Sequence, residues 1–219
     1  SILNSASIEK LSLRNVPIDN QGWKFLCKFL SRNKSISKLD ISQQKIKSDL
    51  SKNQIRSQMN WDLFIHTLGH RSGLEELIVN GCKLSLQNFT NLIEKGASIN
   101  TKRLGVAQMD LSADHIKVLT NWLSTDESDH LEGLDLGFND LNGKLKLLIK
   151  RLPNANNLQS LSINSTSLEN VEDVALIIRA LSKLPNLRFL DLSNLKQIFP
   201  GILPYLNKYL PKFAYLRRL

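Results

Sequence analysis

Hydrophobic positions recur along this chain in one pattern, LxxLxLxx(N/C)xL. The clearest copies are Leu131, Leu134, Leu136, Asn139, Leu141; then Leu74, Leu77, Val79, Cys82, Leu84; and Leu158, Leu161, Ile163, Thr166, Leu168. Weaker copies keep the register: Ile8, Leu11, Leu13, Val16, Ile18; Ile36, Leu39, Ile41, Gln44, Ile46; Thr101, Leu104, Val106, Met109, Leu111; and Leu187, Leu190, Leu192, Leu195. An eighth begins at Leu216 and Leu219. First positions at 8, 36, 74, 101, 131, 158, 187 and 216 are separated by 28, 38, 27, 30, 27, 29 and 29 residues. The period of two inside each copy predicts a short strand, and the segments between copies carry helical spacing, as in Phe25, Leu26, Phe29, Leu30; Phe89, Leu92, Ile93; Leu145, Leu148, Ile149, Leu152; and Val174, Ile177, Ile178, Leu181. Strand and helix therefore alternate.

These residues resemble the ribonuclease-inhibitor-like class of leucine-rich repeats, whose unit is 28 to 29 residues, across residues 8 to 219. The resemblance implies an α/β fold: a right-handed solenoid, or horseshoe, with parallel strands on the concave face and helices on the convex face. It is read as one domain over residues 1 to 219, a fragment of a longer protein. Each unit buries its leucines only against its neighbours. Asn139 stands where a side chain must satisfy backbone groups as the chain leaves the strand; Cys82 and Thr166 do this less fully, and Val16, Met109 and Leu195 cannot.

The 38-residue interval places about ten extra residues in the second repeat, in the polar run Lys45 to Gln58. This insertion is expected to be a mobile loop, and deletion of Lys47 to Gln58 to leave the fold intact. The incomplete eighth copy leaves Ile202, Leu203, Leu206 and Leu210 beside partly exposed apolar surface.

Composition agrees with a repeat protein. There are 41 Leu but only 6% aromatics among 219 residues, so the core is expected to be built from repeated aliphatic positions rather than a few large rings. No stretch is long and apolar enough to span a membrane. Cys27 and Cys82, in different repeats, are too few for a disulfide scaffold and are expected to be small buried residues in a reducing, cytoplasmic or nuclear compartment.

Motifs for chemistry fail on inspection. His66 and His70 have the spacing of a helical zinc pair, but Thr67 stands where a zinc protease needs Glu and no third ligand is evident. Gly137 to Lys144 has one residue too many for a phosphate loop, and Leu145 replaces the magnesium-binding hydroxyl. No nucleophile elbow or triad order appears. The expectation is a non-enzyme with neither metal nor cofactor.

The net charge of +9 invites a nucleic-acid reading. The register, however, turns a face of mixed sign to the concave side, with Lys10, Arg14, Lys38, Lys102, Arg103, Arg188, Arg217 and Arg218 against Glu9, Asp40, Glu75, Glu76, Glu132, Asp135 and Asp191. A polyanion groove needs a basic stripe, so nucleic acid is disfavoured there and a protein partner expected, with weak polyanion binding left to the outer surface. The candidate contact residues are Arg14, Lys38, Asp40, Glu75, Lys102, Arg103, Asp135 and Asp191, with Phe138 and Phe189 as aromatic anchors. Similar repeats occur in ribonuclease inhibitors, tropomodulin-type actin regulators, protein phosphatase 1 adaptors and activators of the small GTPase Ran. The leading expectation is an adaptor or regulatory interaction domain, monomeric in isolation. The alternative is a GTPase activator, with Arg14 assisting hydrolysis.

Overall fold

The computed structural model describes residues 8–43, 54–71 and 73–219. Every described strand begins two residues after a first position of the repeat. They are β1 (Lys10–Ser12), β2 (Lys38–Asp40), β3 (Glu76–Ile78), β4 (Arg103–Gly105), β5 (Gly133–Asp135), β6 (Ser160–Ser162) and β7 (Phe189–Asp191). The eighth copy contributes a parallel bridge from Arg218 to Phe189, at the same offset. Between strands lie α1 (Asn20–Arg32), α2 (Trp61–Gly69), α3 (Leu86–Lys95), α4 (Ala113–Trp122), α5 (Leu145–Ile149) and α6 (Val171–Leu181), with α7 (Leu203–Tyr209) after β7. This is the α/β leucine-rich-repeat fold.

Where the sequence suggests one run of repeats, the chain forms two compact units, residues 1–109 and 110–219. In the first, β1 to β4 pair in parallel, with Leu11, Leu39, Leu77 and Leu104 aligned across the strands. In the second, Leu134, Leu161 and Leu190 align across β5 to β7 in the same way. From Leu39 to Leu190 these central leucines are buried, and each contributes about 1.5–3 kcal/mol by leaving water.

Helices α1, α2, α3, α4 and α6 start where a short polar side chain caps the first turn, whereas α5 and α7 have no such cap. Asp19 accepts from the Gly22 amide at 2.7 Å, Asn60 from Leu63 at 2.9 Å and Ser85 from Asn88 at 3.2 Å. Asn170 accepts from both Glu172 and Asp173 at the start of α6. Such caps are worth about 1 kcal/mol each. The buried faces of α3 and α6 are those read from the spacing: Phe89, Leu92 and Ile93, and Val174, Ile177, Ile178 and Leu181.

Three expectations are corrected. First, α1 is rotated from the face its Phe25, Leu26, Phe29, Leu30 spacing suggests: it buries Trp23, Leu26, Cys27 and Leu30, while Phe25 is 61% exposed. Second, the first unit is not purely aliphatic. Trp23, Trp61 and Phe64 form a knot with ring centroids 5.2 to 5.4 Å apart, joining α1 to α2.

Third, the insertion is not all loop. Residues 45–53 lie outside the described residues, but a short 3-10 turn at Arg56–Gln58 packs inward, and Arg56 is fully buried. Its Nη2 donates to the Val16 carbonyl at 2.8 Å, and its Nε reaches the Ile41 carbonyl at 3.3 Å. The guanidinium also lies 5.8 Å from the Trp23 ring centroid. Arg56 thus donates to carbonyls of the two repeats in which Val16 and Gln44 stand in the sequence where the repeat pattern has Asn or Cys. Its own amide donates to Gln43 Oε1 at 2.7 Å, and Trp61 Nε1 donates to its carbonyl at 2.7 Å.

Candidate functional site

Within each unit, solvent-facing residues of neighbouring strands line up in rows. In the first, one row runs Lys10, Lys38, Glu76, Arg103 across β1 to β4. Glu76 is its hub, with Lys10 Nζ at 3.9 Å and Arg103 Nη1 at 3.8 Å, while Glu75 pairs with Lys102 at 3.6 Å. Exposed pairs of this kind stabilise by at most about 1 kcal/mol, so their consequence is charge arrangement rather than stability. They neutralise much of the mixed-sign face. Lys38 lies in the row between Lys10 and Glu76. Arg14 is exposed in the segment leaving β1.

In the second unit the corresponding rows are Gly133, Ser160, Phe189 and Asp135, Ser162, Asp191. The carboxylates here do local work that the sequence reading missed. Asp135 Oδ1 accepts from the Gly137 amide at 3.0 Å, and Asp191 Oδ1 from the Ser193 amide at 2.9 Å and hydroxyl at 2.6 Å. Asp40 does the same for Ser42 in the first unit, from the amide at 3.0 Å and the hydroxyl at 2.5 Å. The recurring Asp-x-Ser or Asp-x-Gly could have shown this: a carboxylate two residues before a free amide closes an Asx turn. These acids hold the strand exits as well as facing solvent.

The two aromatic candidates part company. Phe189 is half-buried on β7, between its ladder partner Ser160 and Arg218. Phe138 lies beyond β5 in the turn, 55% exposed, with a backbone φ of +56°. It occupies the residue just before the Asn slot. Among the equivalent residues, Asn15, Gly81 and Gln108 in the first unit and Ser165 and Asn194 in the second are also at positive φ. Asn and Gly take this left-handed conformation readily; Phe does so at a cost.

Behind Phe138 the turn is firmly built. Asn139 is buried, its Nδ2 donating to the Leu136 carbonyl at 2.9 Å and its Oδ1 accepting from the Leu111 amide at 3.4 Å. Thr166 Oγ1 donates to Ile163 at 2.6 Å in the same slot, and Cys82 Sγ to Ile41 at 3.4 Å. Cys82 sits in the turn after β3. Both cysteines are buried free thiols, and burial raises Cys27 to about 11 and Cys82 to about 12.

On the helix side, His66 and His70 stack with ring centroids 4.0 Å apart at the edge of a 350 Å³ hollow that also touches Asp62, Asn91 and Lys95. Among the described residues no group of three or more His, Cys, Asp or Glu side chains is placed to hold a metal. A second hollow of 400 Å³, lined by Leu192, Leu195, Ile198, Phe199, Ile202 and Leu206 among others, lies beside α7. No residue of α7 is buried, and Phe199 and Leu203 are exposed, as expected of this apolar end, although Ile202 is buried.

Comparison with known proteins places this repeat array. The profile of the MHP1/HER1/GIP3 LRR domain matches residues 1–219, the whole chain. The chain belongs to this family. Within it, the chain is 43% identical over 229 residues to the HMG2-induced ER-remodeling protein 1 of Saccharomyces cerevisiae, and 37% identical over 250 residues to the MAP-homologous protein 1 of the same yeast. Both alignments cover 100% of this chain but 18% of the relative. Among solved structures, the leucine-rich-repeat protein LegL7 of Legionella pneumophila superposes with a TM-score of 0.66 at 18% identity, covering 95% of this chain and 64% of LegL7. For the MHP1/HER1/GIP3 domain that likeness establishes the fold. Among the described residues no helix is long and apolar enough to cross a membrane.

Proposed function

We propose that this domain is a non-catalytic protein-interaction module of a larger intracellular adaptor or regulatory protein, docking a partner protein on its strand face. The observation that carries the reading is Phe138. A left-handed backbone costs a bulky residue about 1–2 kcal/mol, and a ring more than half exposed recovers little of that by burial. Aromatic side chains held rigidly on a surface are what partner proteins use as anchors. Small hydrogen-bonding residues, Ser160, Ser162 and Ser165, occupy the neighbouring strand and turn, leaving space for a partner's backbone. The first unit's row carries both signs (Lys10, Lys38, Glu76, Arg103) and the second unit's carries the carboxylates Asp135 and Asp191, which favours a protein of mixed charge over a polyanion and sets encounter and register more than affinity. Alignment with 18% of two yeast proteins suits a recognition module within a multi-part chain.

Crosslinking mass spectrometry on the parent protein in cells tests the reading, with Lys10, Lys38 and Lys102 as reactive amines on the strand face. One partner should crosslink there, and Phe138→Ala should weaken it by about 1–3 kcal/mol, tenfold or more, without unfolding the domain. Crosslinks confined to the helix side, or unchanged by Phe138→Ala, would overturn the proposal.

A further inference from the structure

The excess positive charge is distributed unevenly. Residues 1–109 carry 16 Lys and Arg against 8 Asp and Glu, a net of +8, and residues 110–219 carry 13 against 12, a net of +1. On the strand face of the first unit, Lys10, Lys102 and Arg103 are paired with glutamates. The cations of α1 are not. Lys24, Lys28 and Arg32 stand four residues apart, hence on one stripe of the helix, and Lys34 follows its end; all four are exposed and none meets a carboxylate among the described residues. Phe25, 61% exposed, stands on the same stripe. The opposite face of α1 buries Trp23, Leu26, Cys27 and Leu30, so the stripe has no part in the core. On the adjacent helix α2, Asp62 and His66 are exposed, as is His70 at its C-cap, Asp62 being the one carboxylate of that helix.

We infer that this stripe docks the domain on an anionic lipid surface, the basic residues lying among acidic headgroups and Phe25 inserting beside them. Shape decides between polyanions. The stripe is the outward-facing ridge of a single helix about 20 Å long, opposite the buried face, and neither hollow described among these residues is lined by it. An extended acidic peptide is held by a sheet edge or a groove, and a single nucleic-acid strand by a charged groove with several stacking rings. A bilayer needs none of these. It offers a flat field of negative charge, and an aromatic ring flanked by cations suits its interface. Each cation near such a surface increases binding by about fivefold, so four give a reversible contact that acts with other contacts rather than alone.

The test is flotation of the 219-residue chain with vesicles of equal parts phosphatidylserine and phosphatidylcholine, against vesicles of phosphatidylcholine alone. Binding should require phosphatidylserine and fall steeply with added salt. Replacing Lys24, Lys28 and Arg32 together by Gln should lower it by about two orders of magnitude, and Phe25→Ser by about tenfold, with circular dichroism and melting unchanged because every substituted side chain is exposed. A parallel pair, Lys146→Gln and Lys150→Gln in the second unit, should bind like wild type. Equal binding to both vesicle types, or triple and Phe25 variants that bind as wild type, would overturn the inference. So would competition by polyuridylic acid or polyglutamate that removes the triple variant's defect, since the stripe would then be a general polyanion site.

Discussion

Arg56 offers the sharpest test of how the first unit holds together, because the sequence assigns it to a dispensable loop and the structure buries it completely. Arg56→Ala removes the donor from the part-buried Val16 carbonyl and leaves the buried Ile41 carbonyl with the weak Cys82 thiol as donor, where a buried acceptor left short of a partner costs about 1–3 kcal/mol. It also opens a void under the Trp23 ring, at about 24 cal/mol per Å³ of space that does not collapse. Against these stands relief from holding a guanidinium out of water; burial pushes its pKa down from the ordinary value, and Nη1 has no hydrogen-bond partner among the described residues. The sum is a loss of about 2–4 kcal/mol, or about 10 °C in melting temperature. Arg56→Met keeps most of the volume while removing every donor, so its smaller loss of about 1–2 kcal/mol isolates the hydrogen bonds. Urea unfolding followed by tryptophan emission is the assay, since Trp23 and Trp61 both adjoin Arg56. Deletion of Lys47–Gln58 should cost at least as much as Arg56→Ala. If Arg56→Ala stays within about 0.5 kcal/mol of wild type, as an exposed substitution does, the account of Arg56 as a structural plug is refuted.

Other outcomes follow from the same geometry. Phe138→Asn places a residue that tolerates positive φ in the turn, so it should stabilise the second unit by about 0.5–1 kcal/mol in urea unfolding while abolishing the strand-face crosslinks; a loss of stability would mean that the ring packs. Asn139→Leu should cost about 2–4 kcal/mol, because it strips the bonds to Leu136 and Leu111 inside a closed turn, and hydrogen exchange at the Leu111 amide should accelerate. Cys27 and Cys82 have folded pKa values of about 11 and 12 against 9.0 for the free thiol. Their contribution to stability is therefore intact below pH 9 and lost as pH rises towards 11 and 12, by about 1 kcal/mol per thiol per pH unit. Equilibrium unfolding of the Cys27→Ala, Cys82→Ala double variant should show a flatter alkaline slope than wild type, and equal slopes would refute the burial account.

Repeat identity was legible because it rests on local periodicity. A strand of three residues exposes and buries alternate side chains, and each copy stacks on the last, so any leucine that marks one strand marks them all. That is why a fixed offset of two residues joins every first position, from Ile8 to Leu187, to its strand, and reaches Arg218 in the eighth copy. The mixed sign of the strand face came from the same register. Its pairing did not: Glu76 binds Lys10 and Arg103, residues 66 and 27 positions away in the chain, and only stacked strands bring them together.

By itself the sequence determined the fold class, the strand register, the buried faces of α3 and α6 and the buried state of the two cysteines. Each follows from a pattern repeated within or between copies. Tertiary structure decided the rest. Two overlapping sets of apolar residues in α1 satisfy helical spacing equally well, and only packing against Trp61 and Phe64 selects Trp23 and Cys27 for the core and turns Phe25 outward. Gln44 and Val16 mark a missing Asn, yet nothing local says that Arg56, 40 residues beyond Val16, supplies the donor in its place. Phe138 reads as one more aromatic until its backbone angle shows that it occupies a turn suited to Asn or Gly. Periodicity reports which face of an element is apolar; which distant side chain completes that face is a question of distance in space.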